Sequence, residues 1–185
     1  MSIKLTALNT IRTLTEISNQ YQIEEKITNI SEEIRKNSLQ GKFTLIFGNG
    51  GSAADAQHFV GELVCTYKSR KRNPYKAIAL TSDTAIITAW ANDFEYESIF
   101  KRQIEAFGES AGFIIGLSTS GKSKNVIQAL NYARNNNITT CLISGDNKLE
   151  FENYDFMIKI PSKDTATIQT VTQVIYHSIC DLLEV

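Results

Sequence analysis

Proline is almost missing from this chain, two in 185 residues. With no low-complexity stretch either, nothing marks a linker, and one domain over residues 1–185 with a single sizeable core is expected. Cysteine is scarce as well. Cys65, Cys141 and Cys180 lie far apart, are odd in number and form no CxxC pair. That argues against a disulfide framework or a cysteine zinc site and for free thiols in a reducing compartment. No apolar run approaches the ~20 residues of a membrane span, and the opening MSIKLTALNTIRTL lacks an apolar core of signal-peptide length. A cytoplasmic protein with no membrane partner is the expectation. Charge of either sign is also lacking in excess. The net value is −1, so no nucleic-acid partner is expected. The one basic run, KSRKRNPYK (68–76), reads as a solvated loop between two elements.

What is present is periodicity of two kinds. Leu5, Leu8, Ile11, Leu14 and Ile17, then Ile23, Ile27, Ile30 and Ile34, recur at intervals of three and four or close to it. This predicts two amphipathic helices within residues 1–40. From Phe43 short apolar runs take over: FTLIF (43–47), AIAL (77–80), FIIGL (113–117), TTCLI (139–143) and FMIKI (156–160). Helical stretches lie between them near Ser52–Tyr67, Asp83–Phe107, Ser123–Asn136 and, briefly, Leu149, with a last helix from about Thr165 to Leu183. Strand and helix alternating in this way predict an α/β fold, a five-stranded parallel sheet between helical layers spanning 41–185. Ligands in such folds sit beyond the carboxyl ends of the strands. The loops gathered there read GNGGS, TSD and STSGKS.

Two of these loops look like phosphate cradles. In Gly48-Asn49-Gly50-Gly51-Ser52 the glycines let backbone approach a ligand, and the following helix start offers free N–H groups. Gly48-x-Gly50-x-x-Ala53 also fits the dinucleotide fingerprint. The acidic residue it needs ~20 positions on is absent, and Asp83 reads more simply as a helix N-cap. The third loop, Gly116 to Ser123, matches GxxxxGK[ST] literally. No later strand ends in the aspartate that holds magnesium in nucleotide hydrolases. Its hydroxyls, Ser118, Thr119, Ser120 and Ser123, suit a phosphomonoester held without nucleotide. Plain tight turns remain the alternative for both loops.

The chain has two histidines. His58 and Glu62 stand at i and i+4, where an imidazole and a carboxylate can share a divalent ion or simply meet at the surface. His177 lies on the last, mostly apolar helix, eight residues after Gln169, so the two share roughly one side of it. It reads either as a core histidine or as a second donor.

Four motifs in order, GNGGSAADAQHFVGEL, ANDF (91–94), LSTSGKSKNV and PSKDTATIQTVTQVIYH, resemble the phosphoheptose isomerases of the sugar-isomerase (SIS) fold. The resemblance runs from the N-terminal helices to the C-terminus. It implies an aldose–ketose isomerase of sedoheptulose 7-phosphate with Glu62 as base and His177 as acid. It implies one zinc ion per subunit held by His58, Glu62, Gln169 and His177. Sugar-phosphate contacts fall on Asn49, Gly50, Gly51, Ser52, Glu62, Asn92, Asp93, Ser118, Thr119, Ser120, Ser123 and Gln169. A homotetramer and a part in making heptose for a bacterial surface polysaccharide are also implied. Thr66 and Thr167 stand where many family members carry arginine, and Lys68, Arg70 or Lys122 are the candidates to replace that charge. A relative that binds phosphosugar or protein without turnover is the alternative from another class. Geometry adds one point. Eight residues of helix separate Gln169 and His177 by ~12 Å, whereas two ligands of one zinc ion lie within about 4 Å. Donors from two chains would meet this more easily, so an obligate oligomer with sites at subunit boundaries is expected. The apolar stripe Ile168, Val171, Ile175, Ile179 and Leu182 and the N-terminal helices are its expected contact surfaces.

Overall fold

The computed structural model describes residues 3–149 and 153–184. Five strands, β1 (Phe43–Gly48), β2 (Ala77–Ala79), β3 (Ala111–Ser118), β4 (Thr139–Gly145) and β5 (Phe156–Ile160), form one sheet in the order β2-β1-β3-β4-β5. Every neighbouring pair is parallel. The strands are near-continuous apolar runs because both faces of the sheet are covered. Central β3 is buried at every position. On one face Ile46, Phe113, Ile115, Leu117 and Ile143 pack against α2 (Ile23–Leu39), α3 (Gly51–Val64) and α7 (Thr165–Leu182). On the other, Leu45, Phe47, Ile114 and Leu142 meet α5 (Ile99–Phe107) and α6 (Lys124–Asn135). The result is the expected three-layer α/β sandwich.

The two N-terminal helices differ in kind. In α2 the isoleucine spacing aims Ile30 and Ile34 at the sheet, and both are fully buried. Glu24 and Glu25 in its first turn and Lys36 in its last complement the helix dipole. It is a wall of the core. The preceding α1 (Ile3–Ser18) touches α7 through Ile17, while Leu5, Leu8 and Ile11 stay exposed. No helix among the described residues is long and apolar enough to cross a membrane.

Four expectations are revised. The single helix expected over Asp83–Phe107 is α4 (Thr84–Asp93), a short 3-10 turn at Tyr96–Ser98, and α5. Asp83 does cap α4, accepting from the Ile86 amide at 3.0 Å. The helix stops because Trp90 stacks on Phe94, ring centroids 4.1 Å apart, and donates its Nε1–H to Ser98 Oγ at 2.7 Å. That turn swings Ile99 and Phe100 into the core. The short helix expected near Leu149 does not include Leu149 itself, and residues 150–152 lie outside the described residues. The α7 stripe is consumed within its own chain. Ile168, Val171, Ile175 and Ile179 are buried, and only Val174 and Leu182 leave large apolar surface outside.

The basic run is no solvated loop throughout. The Arg72 side chain is 6% exposed. It donates to the carbonyls of Glu62 at 2.6 Å and Leu63 at 3.0 Å, closing the last turn of α3, and pairs with Glu184 at 2.9 Å. Replacing Ile34 with alanine opens a cavity between α2 and the sheet. Urea unfolding is expected to show a loss of about 2–5 kcal/mol.

Candidate functional site

Chain order and strand order diverge between β1 and β3. From β1 the chain moves to β2 on one side, and from β3 it moves to β4 on the other. This reversal leaves a crevice at the carboxyl ends, the usual ligand position in open α/β sheets. The glycine loop leaves β1 on one side of the crevice, and the hydroxyl loop leaves β3 on the other.

Side-chain amides tie the loops together. Asn49 Nδ2 donates to Asn125 Oδ1 and Asn125 Nδ2 donates to Asn49 Oδ1, each at 2.8 Å. Tyr96 donates its hydroxyl to Asn49 Oδ1 at 3.0 Å, bringing in the turn after α4. Gly50 is left-handed at φ 56°, a conformation only glycine adopts cheaply. In the hydroxyl loop Ser118 Oγ and Ser123 Oγ are 2.9 Å apart. Ser118 Oγ accepts from the Gly121 amide and Ser120 Oγ from the Lys122 amide, each at 3.1 Å. Neither Gly50 nor Ser123 caps its helix with a side chain. Two helix starts with positive dipole ends thus face the same crevice, which suits an anion. Thr119 is half-buried, Ser120 exposed and Ser52 buried behind the glycine loop. Asn92 and Asp93 bond to each other at the end of α4, 2.8 Å. Among the described residues neither bonds to either loop.

The histidines do come together. α3 and α7 run alongside each other, and one oxygen or nitrogen from each of His58, Glu62 and His177 lies within 4.8 Å of the others. His58 Nε2 is 2.9 Å from Glu62 Oε1, and His58 Nδ1 is 2.8 Å from the Tyr176 hydroxyl. His177 is walled by the rings of Tyr176, His58 and Tyr67, centroids 4.9, 5.3 and 5.4 Å away. Its Nε2 is buried without a hydrogen-bond partner. Burial first, and the neighbouring His58 second, lower the His177 pKa, favouring the neutral imidazole that ligates metals. Two imidazoles and a carboxylate are a zinc-type donor set. With an orphaned nitrogen in their midst, these three residues fit a divalent ion. Gln169 does not join them. Its amide lies over Gly51, where a Cβ would sit 2.2 Å from Nε2. That is two turns of helix from His58 and His177.

Several residues here escaped the sequence reading. Asn125 is the second residue of α6, inside the hydroxyl-loop motif but without a hydroxyl to mark it, and Tyr96 lies outside any motif. Asp55, one turn before His58, has its carboxyl pushed up to about 6 by burial, and its Oδ2 lacks a partner. The i−3 spacing from His58 was the available signal. Tyr176 precedes His177 directly, yet a tyrosine in an apolar helix carries no mark of its partner.

Residues 9–145 match the SIS domain family. A phosphoheptose isomerase of Clostridium acetobutylicum is 42% identical over 165 residues, covering 88% of this chain and 83% of that one. The chain belongs to the phosphoheptose isomerase family. It is an enzyme, an isomerase. A second member, from Geobacter metallireducens, is 44% identical over 145 residues, 78% of this chain and 76% of its own. The solved phosphoheptose isomerase of Francisella tularensis superposes with a TM-score of 0.89 at 28% identity, covering 98% of this chain and 95% of that one.

Asn125→Ala removes both amide bonds between the loops. At ~0.5–1.5 kcal/mol per bond, thermal or urea unfolding is expected to show a loss of about 1–3 kcal/mol.

Proposed function

We propose that this isomerase interconverts sedoheptulose 7-phosphate and D-glycero-D-manno-heptose 7-phosphate, in the cytoplasm, as a step toward heptose for bacterial surface polysaccharide. The observation that carries the reading is the cluster of His58, Glu62 and His177, with the unpartnered His177 Nε2 in its midst, below a crevice built for an anion. The names of the relatives support the substrate. Moving a carbonyl between C1 and C2 requires removing a proton beside it and returning one to the neighbouring carbon, through an enediol. Glu62 is the base in this proposal. His177 gives and takes the proton on the oxygen side. The phosphate at the far end lies against Ser118, Thr119, Ser120 and Ser123 and the two helix starts, which fixes the sugar's register. Asn49, Gly50, Gly51 and Ser52, with Asn92 and Asp93, line the sugar.

His58, Glu62 and His177 would hold zinc, one ion per subunit, with Gln169 as fourth donor. The ion's contribution is Lewis-acid polarisation of the sugar oxygens. For Gln169 to reach the ion it must come from another copy, since in its own chain it lies over Gly51. The proposed assembly is a homotetramer with sites at its subunit boundaries. The uncovered Leu5, Leu8 and Ile11 of α1, with Val174 and Leu182 of α7, are apolar surface for such contacts.

Incubation with sedoheptulose 7-phosphate, with and without added zinc, followed by product NMR tests the reaction. No conversion by metal-loaded protein would sink it. Glu62→Gln is expected to lower turnover ~100-fold or more with the fold intact, while Ser120→Ala should act mainly on KM. Near-normal turnover by Glu62→Gln would move the base elsewhere. Mixing inactive Gln169→Ala and His177→Ala proteins under subunit exchange should restore part of the activity. A fully active monomer in sedimentation would overturn the assembly.

A further inference from the structure

Tyr176 is 1% exposed, among the largest fully buried side chains. Its ring stacks on Phe59 with centroids 5.2 Å apart and planes 16° from parallel. A phenylalanine would fill that slot equally well. The hydroxyl is what differs, and a buried hydroxyl needs a partner. It finds one, His58 Nδ1 at 2.8 Å.

The geometry around His58 assigns the protons. Glu62 Oε1 lies 2.9 Å from Nε2, and a carboxylate only accepts, so in the metal-free protein Nε2 carries the hydrogen. In the neutral ring Nδ1 then offers a lone pair and the Tyr176 hydroxyl donates to it. An ion on Nε2 would displace that hydrogen, and the neutral ring would carry its proton on Nδ1. A hydroxyl can accept as readily as it donates. The same contact therefore serves both tautomers. A backbone carbonyl, the common alternative partner for a ligand histidine, serves only one.

We infer that Tyr176 is a positioning residue for His58, its hydroxyl holding the ring so that Nε2 faces Glu62 and His177 whichever ring nitrogen bears the proton. The bond ties α7 to α3 at the level of the cluster. The two rings approach each other T-shaped, 72° between planes at 5.4 Å.

The inference rests on the proposed zinc site for its consequence and not for its test. Tyr176→Phe keeps the ring and deletes the hydroxyl. In metal-free protein with 15N-labelled histidine, the substitution is expected to move the His58 Nδ1 resonance. By chelator competition, zinc should bind ~10–100-fold more weakly. At saturating zinc, kcat should recover toward the wild-type value with KM unchanged. Phe59→Leu is the control for packing. It loses the stacked ring and keeps the hydroxyl, so stability should fall while zinc affinity stays within about twofold. An unchanged Nδ1 resonance together with wild-type zinc affinity in Tyr176→Phe would overturn the inference. So would an equal loss of zinc affinity in Phe59→Leu, which would make the effect one of packing. If the wild-type protein takes up no zinc, the metal reading fails, and the Nδ1 resonance alone decides whether the hydroxyl positions the ring.

Discussion

The site depends on the alignment of α3 with α7. Both helices follow strands of one parallel sheet and lie on the same face, so they run in the same direction side by side. Gly51 meets Gln169 near their starts, and His58 meets Tyr176 seven residues further along each. Equal spacing on two parallel helices keeps partners level over about 10 Å. A shift of one residue on either helix would turn its donors by ~100° and break up the cluster. The missing side chain at Gly51 lets the helix starts close on each other. The stacked rings of Phe59 and Tyr176, each next to a histidine in sequence, pack between the two helices.

The far ends of the same pair are held by the segment between α3 and β2. Arg72 closes the last turn of α3 through the Glu62 and Leu63 carbonyls and pairs with Glu184 just past α7. Lys68 pairs with Asp181, and Tyr75 donates to the Leu183 carbonyl at 3.0 Å. An arginine so deeply buried is justified only if its donors are satisfied, and here carbonyls and a carboxylate take them. One of those carbonyls belongs to Glu62 itself. The run that looked like a charged loop is therefore a brace on the backbone of Glu62, the proposed base.

The crevice above is built by a different economy. α7 spends the donors of its first turn on Asp164, which accepts from the Thr167 amide and hydroxyl at 2.8 and 2.7 Å. α4 does the same with Asp83. Among the helices that follow a strand, α3 and α6, which flank the strand-order reversal, have no such side-chain cap. The uncapped pair lies where an anion can replace the cap, and the Asn49–Asn125 pair keeps the two helix starts together in its absence.

The periodicities of the chain determined its elements. Alternating short apolar runs and helical stretches dictate a parallel sheet covered on both faces, because burial on both sides suits strands with so few polar positions. Asp83 as a cap, the glycine loop and the hydroxyl loop were legible for the same local reason, since each acts within a few residues of itself. The break after Asp93 was not, because it depends on Trp90 reaching Ser98. The burial of Arg72 and of the α7 stripe was not, because a sequence does not say which face a neighbour covers. His58 and Glu62 are one turn apart and could be paired by counting. That His177 joins them, that Gln169 stays over Gly51, and that Tyr176 reaches Nδ1 across 118 residues were decided only by the packing of two helices distant in sequence. Their relative register is set by the whole sheet beneath them and by no segment of the chain alone.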